Sequence, residues 1–164
     1  MSPNVARLSE TTLEGGCPCG GVRYRMESPP LFVHCCHCRS CQRETGTSYA
    51  LNALIEADRV KLLEGEPEKT ATPSNSGKGQ DIWRCPKCRV ALWSNYAGFG
   101  SKVNFIRVGS LDEPDRIVPD IHIYTASKQP WVIIPEGHAA VEEYYDLKNH
   151  WPEDSRVRLR QLFQ

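Results

Sequence analysis

Apolar residues occupy every second position in several short stretches of the chain. Val22, Tyr24 and Met26 alternate with charged residues, and this period of two predicts a strand with one buried face. Short stretches rich in apolar residues predict further strands at residues 31–34, 48–55, 61–63, 81–84, 90–93, 103–108 and 121–124. Turns rich in glycine and proline separate these stretches. The pattern therefore predicts a fold that is all-β or dominated by β-strands.

Helical spacing is concentrated near the end of the chain. Residues 141–145 and 155–163 have helical spacing, and residues 153–155 provide a capping region. Earlier in the chain, residues 56–60 predict a single helical turn. Residues 70–80 contain no large apolar side chain, which predicts a mobile hairpin or surface loop. Because we find neither an internal repeat nor a clear domain boundary, we expect residues 1–164 to form one domain with short C-terminal helical segments.

The charges of the chain are balanced. The 164 residues include 20 basic and 20 acidic side chains, so we expect no nucleic acid and no membrane surface as a partner. No apolar run approaches the roughly 18 residues of a transmembrane helix. The N-terminus has no apolar core of a secretory signal, and residues 1–12 are expected to be frayed. We therefore expect a cytoplasmic protein, whose oligomeric state the sequence leaves open.

The cysteines are strongly clustered. The chain has eight of them, and residues 34–41 alone contain four cysteines and two histidines. Eight cysteines also permit a disulfide framework. Disulfides are rare in a reducing cytosol, however, and clusters with such short spacing there more often bind metal. Crowded thiolates repel one another unless a cation neutralises them, so the sequence predicts a soft divalent metal, zinc first.

Two of the cysteine units can complete one metal site. A closed structural zinc site takes four ligands, usually two from each of two loops. A Cys-x-Cys unit and a later Cys-x-x-Cys unit each provide two thiols on turns beside predicted strands: Cys17, Cys19, Cys85 and Cys88. We therefore predict that these four hold a structural zinc ion, which contributes directly to the free energy of folding.

The remaining unit predicts a site with an open position. Cys36, Cys38 and Cys41 provide three ligands, which is typical of a catalytic zinc. Cys35, His34 or His37 would close this site if one of them provided the fourth ligand. In an extended segment Cys35 and Cys36 point to opposite sides, so we interpret Cys35 as a small buried apolar residue.

The charge of such a site indicates its chemistry. Zinc with three thiolates carries a net charge of −1, which makes it a poor Lewis acid for activating water. A thiol that binds as its thiolate suits the site better. The expected chemistry is therefore thiol transfer or thiol addition to a carbonyl, and not hydrolysis.

The order of several motifs indicates a family. They are GGCPCGGVRY at 15–24, CCHCRSCQRETG at 35–46, WRCPKCRVALWS at 83–94, GSLDEP at 109–114 and HIYTASKQPW at 122–131. Together they resemble the glutathione-dependent formaldehyde-activating enzyme family, which includes the centromere-protein-V-like proteins. The resemblance covers about residues 15–131 and leaves a C-terminal extension at 138–164 that could shape specificity or an oligomer contact.

The resemblance implies a β-tent zinc-binding fold with two zinc ions per chain. The structural ion is then bound by the same four cysteines as above, and the catalytic ion by Cys36, Cys38 and Cys41. The activity implied is that of a carbon–sulfur lyase, which joins a small-molecule thiol such as glutathione to a small aldehyde such as formaldehyde.

Three further residues are candidates for binding substrate. Arg39 and Arg43 flank the central cluster and suit the carboxylates of a glutathione-like thiol, although they equally suit the local thiolate charge. His122 is a candidate proton shuttle or a hydrogen-bonded structural residue. Two other functions stay open: a non-enzymatic zinc module that binds a protein or nucleic acid, and a redox or metal sensor.

Overall fold

The computed structural model describes residues 12–164. Residues 1–11, to which most of the frayed terminus expected above belongs, lie outside this range. The described residues form ten strands: β1 (Leu13–Gly16), β2 (Arg23–Met26), β3 (Phe32–Cys36), β4 (Ala50–Glu56), β5 (Val60–Glu64), β6 (Glu68–Thr72), β7 (Gln80–Arg84), β8 (Ala91–Tyr96), β9 (Val103–Arg107) and β10 (Ile121–Ile123). Three helices accompany them: α1 (Arg39–Thr45), α2 (Leu147–His150) and α3 (Glu153–Gln161).

The strands form two sheets. The smaller has the order β1-β2-β5, and the larger has the order β10-β3-β4-β9-β8-β7-β6. The pairs are antiparallel except for β10 with β3, which run parallel. This architecture confirms the predicted fold class, β-dominated with short helices at the C-terminal end.

Strand β2 of the smaller sheet is buried on one face, whereas strand β3 of the larger sheet is buried on both. In β2, Tyr24 and Met26 are buried while the arginines between them are partly exposed, as the alternation predicted. All five residues of β3 are buried, so both faces of this strand are covered by other parts of the protein. Neighbouring residues of β3 therefore point into different parts of the interior. Cys35 and Cys36 accordingly lie in different groups of side chains.

The predicted helix at 141–145 is wrong. These residues run beside β10, where the Val141 N–H donates to the His122 carbonyl at 2.9 Å and the His122 N–H donates to the Ala139 carbonyl at 2.8 Å. The exposed edge of β10 provides backbone partners that a short helix would otherwise have to find within itself. Residues 68–72 form β6, which pairs antiparallel with β7, so the hairpin predicted as one alternative for residues 70–80 is confirmed, with its loop at residues 73–79.

Helix α1 was not anticipated, although its ends have recognisable causes. The Cys38 side chain caps its start by accepting a hydrogen bond from the Cys41 N–H. Its end is Gly46, whose φ of 68° belongs to the left-handed region that glycine adopts without strain. The helix thus begins and ends at residues of the cysteine motif itself.

Hydrogen bonds attach the C-terminal helix α3 to the larger sheet and to the residue before β3. Ser155 Oγ donates to the Leu31 carbonyl at 2.6 Å, and Arg158 binds Glu56 with two hydrogen bonds of 2.8 and 2.6 Å. The Glu56 side chain is only 3% exposed, so this ion pair is shielded from water on one side. Among the described residues, no helix has both the length and the apolar character that crossing a membrane requires.

Candidate metal centres

The four cysteines predicted to share one structural metal site lie close together. Cys17 and Cys19 follow β1, and Cys85 and Cys88 follow β7. All four Sγ atoms lie within 4.8 Å of one another, with separations of 3.4 Å for Cys17–Cys19 and 3.6 Å for Cys19–Cys85. All eight cysteines, which lie within the described range, are free thiols. We call this group the four-cysteine cluster.

Backbone N–H groups and a glycine lie next to the sulfur atoms of the four-cysteine cluster. The Val22 N–H donates to Cys17 Sγ at 3.3 Å. Gly21 lies so close that a Cβ atom there would be 3.3 Å from Cys19 Sγ and 3.5 Å from Cys85 Sγ. The Cys88 N–H contributes most to lowering the pKa of Cys85, to about 6. The lowered pKa favours the thiolate of Cys85, which is the form that binds a soft metal.

Cys36, Cys38 and Cys41 form a second group, the three-cysteine cluster. Cys36 ends β3, Cys38 caps α1 and Cys41 lies in the first turn of α1. Their Sγ atoms lie within 4.8 Å of one another, and no fourth Cys, His, Asp or Glu ligand of residues 12–164 joins them. Hydrogen bonds from Cys36 and Cys41 lower the pKa of Cys38 to about 3. The reciprocal bonds to Cys38 and Cys41, together with burial, raise the pKa of Cys36 far above its ordinary value.

The three-cysteine cluster faces a cavity of about 360 Å³. Aromatic side chains form much of its wall: Tyr96, Phe99, Phe105, Tyr124 and Tyr144. Ser74, Asn75, Ser76 and Lys78 reach it from the loop between β6 and β7. Lys78 is the one lysine or arginine among the described residues of the lining. The cavity is thus apolar, with a single cation at the loop.

The tyrosine hydroxyls of the cavity stay protonated at neutral pH. Burial raises the pKa of Tyr96 and of Tyr124, and it raises the pKa of Tyr144 to about 12. Tyr124 also has a φ of 55°, which is uncommon for a residue with a side chain and occurs more often at functional sites. These hydroxyls can therefore donate hydrogen bonds to a bound molecule.

Residues 12–127 match the profile of the family described as glutathione-dependent formaldehyde-activating enzyme. The chain belongs to this family. A Halomonas elongata protein provisionally named as a glutathione-dependent formaldehyde-activating enzyme is 29% identical over 126 residues, which are 74% of this chain and 80% of that protein. A crystal structure of a Rhodobacter sphaeroides protein has a TM-score of 0.45 at 19% identity and covers 60% of this chain and 87% of its own.

A buried arginine beside the three-cysteine cluster was missed by the sequence reasoning. Arg107 donates to Asn52 Oδ1 at 2.5 Å and to Ser94 Oγ at 3.0 Å. The pKa of Cys41 is raised to about 12: its hydrogen bond with Cys36 lowers it, its hydrogen bond with Cys38 and burial raise it, and the charge of Arg107 lowers it. The available signal was a single charged residue inside the predicted strand at 103–108.

The C-terminal extension, beyond the residues that match the family, reaches the cavity. Tyr144 and Leu147 line it directly. Tyr145 hydrogen-bonds His34 of β3, so His34 is engaged away from the three-cysteine cluster. The extension thus completes a wall of the cavity that the family motifs alone do not provide.

The three candidate substrate residues do not line this cavity. Arg39 is exposed and donates to Gln42 Oε1 at 2.9 Å, and Arg43 is exposed on the same helix.

His122 is buried, with its Nδ1 atom 3.0 Å from His37 Nε2. Cys35 Sγ lies 3.6 Å from the same nitrogen. Cys35, His37 and His122 therefore form a third group, the Cys-His cluster. Burial lowers the pKa of His37 to about 4 and also lowers the pKa of His122.

Proposed function

We propose that the protein is a zinc-dependent carbon–sulfur lyase that forms and cleaves the adduct of a thiol with a small aldehyde. One contrast between the two all-cysteine clusters supports this proposal. The four-cysteine cluster offers a complete ligand set, whereas the three-cysteine cluster offers three thiols and faces the cavity. Membership of the family supports glutathione and formaldehyde as the leading pair.

The donor atoms of both clusters suit zinc. Each consists of thiols alone, and soft thiolates favour zinc over the hard cations that prefer oxygen. In this proposal Cys17, Cys19, Cys85 and Cys88 hold a structural ion, and Cys36, Cys38 and Cys41 hold the catalytic ion. The fourth position of the catalytic site is left to the substrate, because the described residues offer no further ligand there.

The reaction needs one bond to form and one proton to move. Cys36, Cys38 and Cys41 would hold the zinc ion, which would supply a site for the thiol as its thiolate. The carbon–sulfur bond forms as the sulfur adds to the carbonyl carbon and the carbonyl π bond breaks, and the proton that the thiol has lost ends on the carbonyl oxygen. The protonated hydroxyls of Tyr96, Tyr124 and Tyr144 are available to donate hydrogen bonds as charge develops on this oxygen. The aromatic wall limits the access of water.

The volume and the lining of the cavity indicate which kind of thiol it can bind. Its volume of about 360 Å³ exceeds what formaldehyde alone requires, so the thiol is expected to fill most of it. A glutathione carboxylate would find Lys78 at the loop and the hydroxyls of Ser74 and Ser76 beside it. In the proposed complex, these three residues take the role that the sequence suggested for Arg39 and Arg43.

Exchange spectroscopy tests this proposal, because thiols add to formaldehyde without a catalyst. Carbon-13 NMR of equilibrated mixtures of thiols and aldehydes gives the rate at which the adduct forms and breaks. We expect the zinc-loaded protein to accelerate exchange for at least one pair, and Cys38→Ser to abolish the acceleration. Ser101→Ala changes an exposed position outside the cavity lining and is the control. If the zinc-loaded protein accelerates no pair, the proposal fails and a non-enzymatic zinc module is the better interpretation.

A further inference from the structure

The Cys-His cluster brings three possible ligand side chains together. Cys35 Sγ lies 3.6 Å from His37 Nε2, which lies 3.0 Å from His122 Nδ1, and one ligand atom of each residue lies within 4.8 Å of the others. We propose that these three atoms form a third metal site, which binds zinc or a similar divalent ion through one thiolate and two neutral imidazoles. The site is separate from the two all-cysteine clusters and does not depend on the proposed enzyme activity.

The distances match those of a tetrahedral zinc site. Zn–S bonds of about 2.3 Å and Zn–N bonds of about 2.0 Å place a sulfur and a nitrogen ligand about 3.5 Å apart and two nitrogen ligands about 3.3 Å apart. The observed separations are 3.6 Å between Cys35 Sγ and His37 Nε2 and 3.0 Å between His37 Nε2 and His122 Nδ1. Both observed separations lie within about 0.3 Å of the tetrahedral values.

The backbone holds the three ligands in position without the ion. Cys35 and His122 are register partners in the parallel pair of β3 and β10. The His37 N–H donates to the Ile123 carbonyl at 2.9 Å, and the His37 carbonyl accepts hydrogen bonds from Gln42 Nε2 at 2.7 Å and Ser127 Oγ at 3.0 Å. Because these backbone contacts fix the three Cα positions, a bound ion would meet a preformed set of ligands.

Hydrogen bonding within the protein leaves this cluster incompletely satisfied. Cys35, His37 and His122 are all more than nine-tenths buried, with exposures of 2%, 0% and 7%. Two ring nitrogens, His37 Nδ1 and His122 Nε2, have no hydrogen-bond partner among the described residues. In the proposed site these two nitrogens carry the ring protons, which leaves His37 Nε2 and His122 Nδ1 to bind the ion.

An exposed histidine next to the cluster is available as a further donor. His138 is exposed, and its ring centre lies 5.8 Å from that of His122. It belongs to the C-terminal extension, which runs beside β10 through the His122–Ala140 bridge. Either His138 or a water molecule can complete the ligand set. Cys36 lies on the other side of β3, in the three-cysteine cluster, so the two sites do not share ligands.

X-ray absorption spectroscopy at the zinc edge tests the third site on the unaltered protein. The two all-cysteine clusters contain no histidine, so imidazole scattering reports the Cys-His cluster. After incubation with excess zinc and removal of the free ion, we expect three zinc ions per chain, one for each of the three clusters, and clear imidazole scattering. Two ions per chain without imidazole scattering would overturn the proposal.

Variants then assign the signal to these residues. His122→Gln and Cys35→Ala should each lower the zinc content by one ion per chain, and His122→Gln should remove the imidazole scattering. His150→Gln alters an exposed histidine and should leave both measurements unchanged. Unchanged zinc content together with unchanged imidazole scattering in folded His122→Gln would place the histidine ligands elsewhere and reject the site. If a variant does not fold, the stoichiometry and scattering of the unaltered protein decide the question by themselves.

Discussion

The Tyr145 hydroxyl lies 2.5 Å from His34 Nε2 and 2.7 Å from Trp151 Nε1. An indole N–H can only donate, so the tyrosine oxygen accepts from Trp151 while the same hydroxyl also bonds His34. His34 belongs to β3, which leads into the cysteine motif. This pair of hydrogen bonds therefore joins the C-terminal extension to the strand that positions the three-cysteine cluster.

Removing the Tyr145 hydroxyl should destabilise the protein. Tyr145→Phe leaves the buried His34 and Trp151 nitrogens without a partner, and each unsatisfied group costs about 1–3 kcal/mol. Denaturant unfolding followed by circular dichroism measures the loss. Tyr49→Phe makes the same change at a tyrosine that is 40% exposed and should shift the free energy of unfolding by less than about 0.5 kcal/mol. Equal effects of the two substitutions would show that the Tyr145 hydrogen bonds contribute nothing.

The two all-cysteine clusters should respond differently to the same chemical change. Cys85→Ser removes a ligand from the four-cysteine cluster and should prevent folding, because structural zinc contributes about 10–16 kcal/mol in small zinc domains. Cys38→Ser should leave a folded protein that has lost the more weakly held ion. Circular dichroism and zinc content by mass spectrometry distinguish these outcomes. Equal unfolding in both variants would contradict the proposed division into structural and catalytic ions.

The charge of Arg107 should strengthen metal binding at the three-cysteine cluster. Arg107→Met removes a cation that lowers the pKa of Cys41, so zinc should be lost to a chelator at an about ten-fold lower chelator concentration. Arg107→Lys retains the charge and should lie closer to the unaltered protein. Competition with a chromophoric chelator gives both affinities. Identical affinities in the Met variant and the unaltered protein would exclude an electrostatic role for Arg107.

Stability should decrease as the pH falls below about 6.5, partly because of His34. Burial lowers the pKa of His34 to about 3, whereas an exposed histidine has a pKa of about 6.5. Between these values the unfolded chain binds more protons than the folded chain, so the contribution of His34 is complete above about pH 6.5 and is lost as the pH falls toward 3. The slope from one such group approaches about 1.4 kcal/mol per pH unit.

Unfolding at several pH values isolates this contribution. The unaltered protein should lose more stability between about pH 7 and pH 5 than His34→Gln does, while His150→Gln, at an exposed position, should follow the unaltered protein. Loss of zinc at low pH affects all three proteins, so it cancels in the comparison. Parallel pH profiles for the unaltered protein and His34→Gln would mean that His34 does not titrate differently on folding.

Local patterns in the sequence predicted much of the secondary structure and the grouping of the cysteines. The alternation in Val22–Met26 predicted a strand, and β2 follows at Arg23–Met26, because a period of two can bury only one face of an extended chain. The helix at Glu153–Gln161 was likewise predicted. The spacing of the cysteines assigned seven thiols to two sets. In the structure, the Sγ atoms of each set lie within 4.8 Å of one another. Their role as metal ligands stays a prediction.

Other features depended on contacts between residues that are distant along the chain. Residues 141–145 form no helix because the edge of β10 provides their backbone partners, and no local pattern shows that edge. His122 meets Cys35 only through the parallel pairing of β10 with β3. Arg107 reaches Asn52 only because β9 lies beside β4. The sequence by itself thus determined the strands and the chemical character of the cysteine clusters. Tertiary structure decided which side chains share the cavity and which form the Cys-His cluster, because strand order and register fix the neighbours of each buried face.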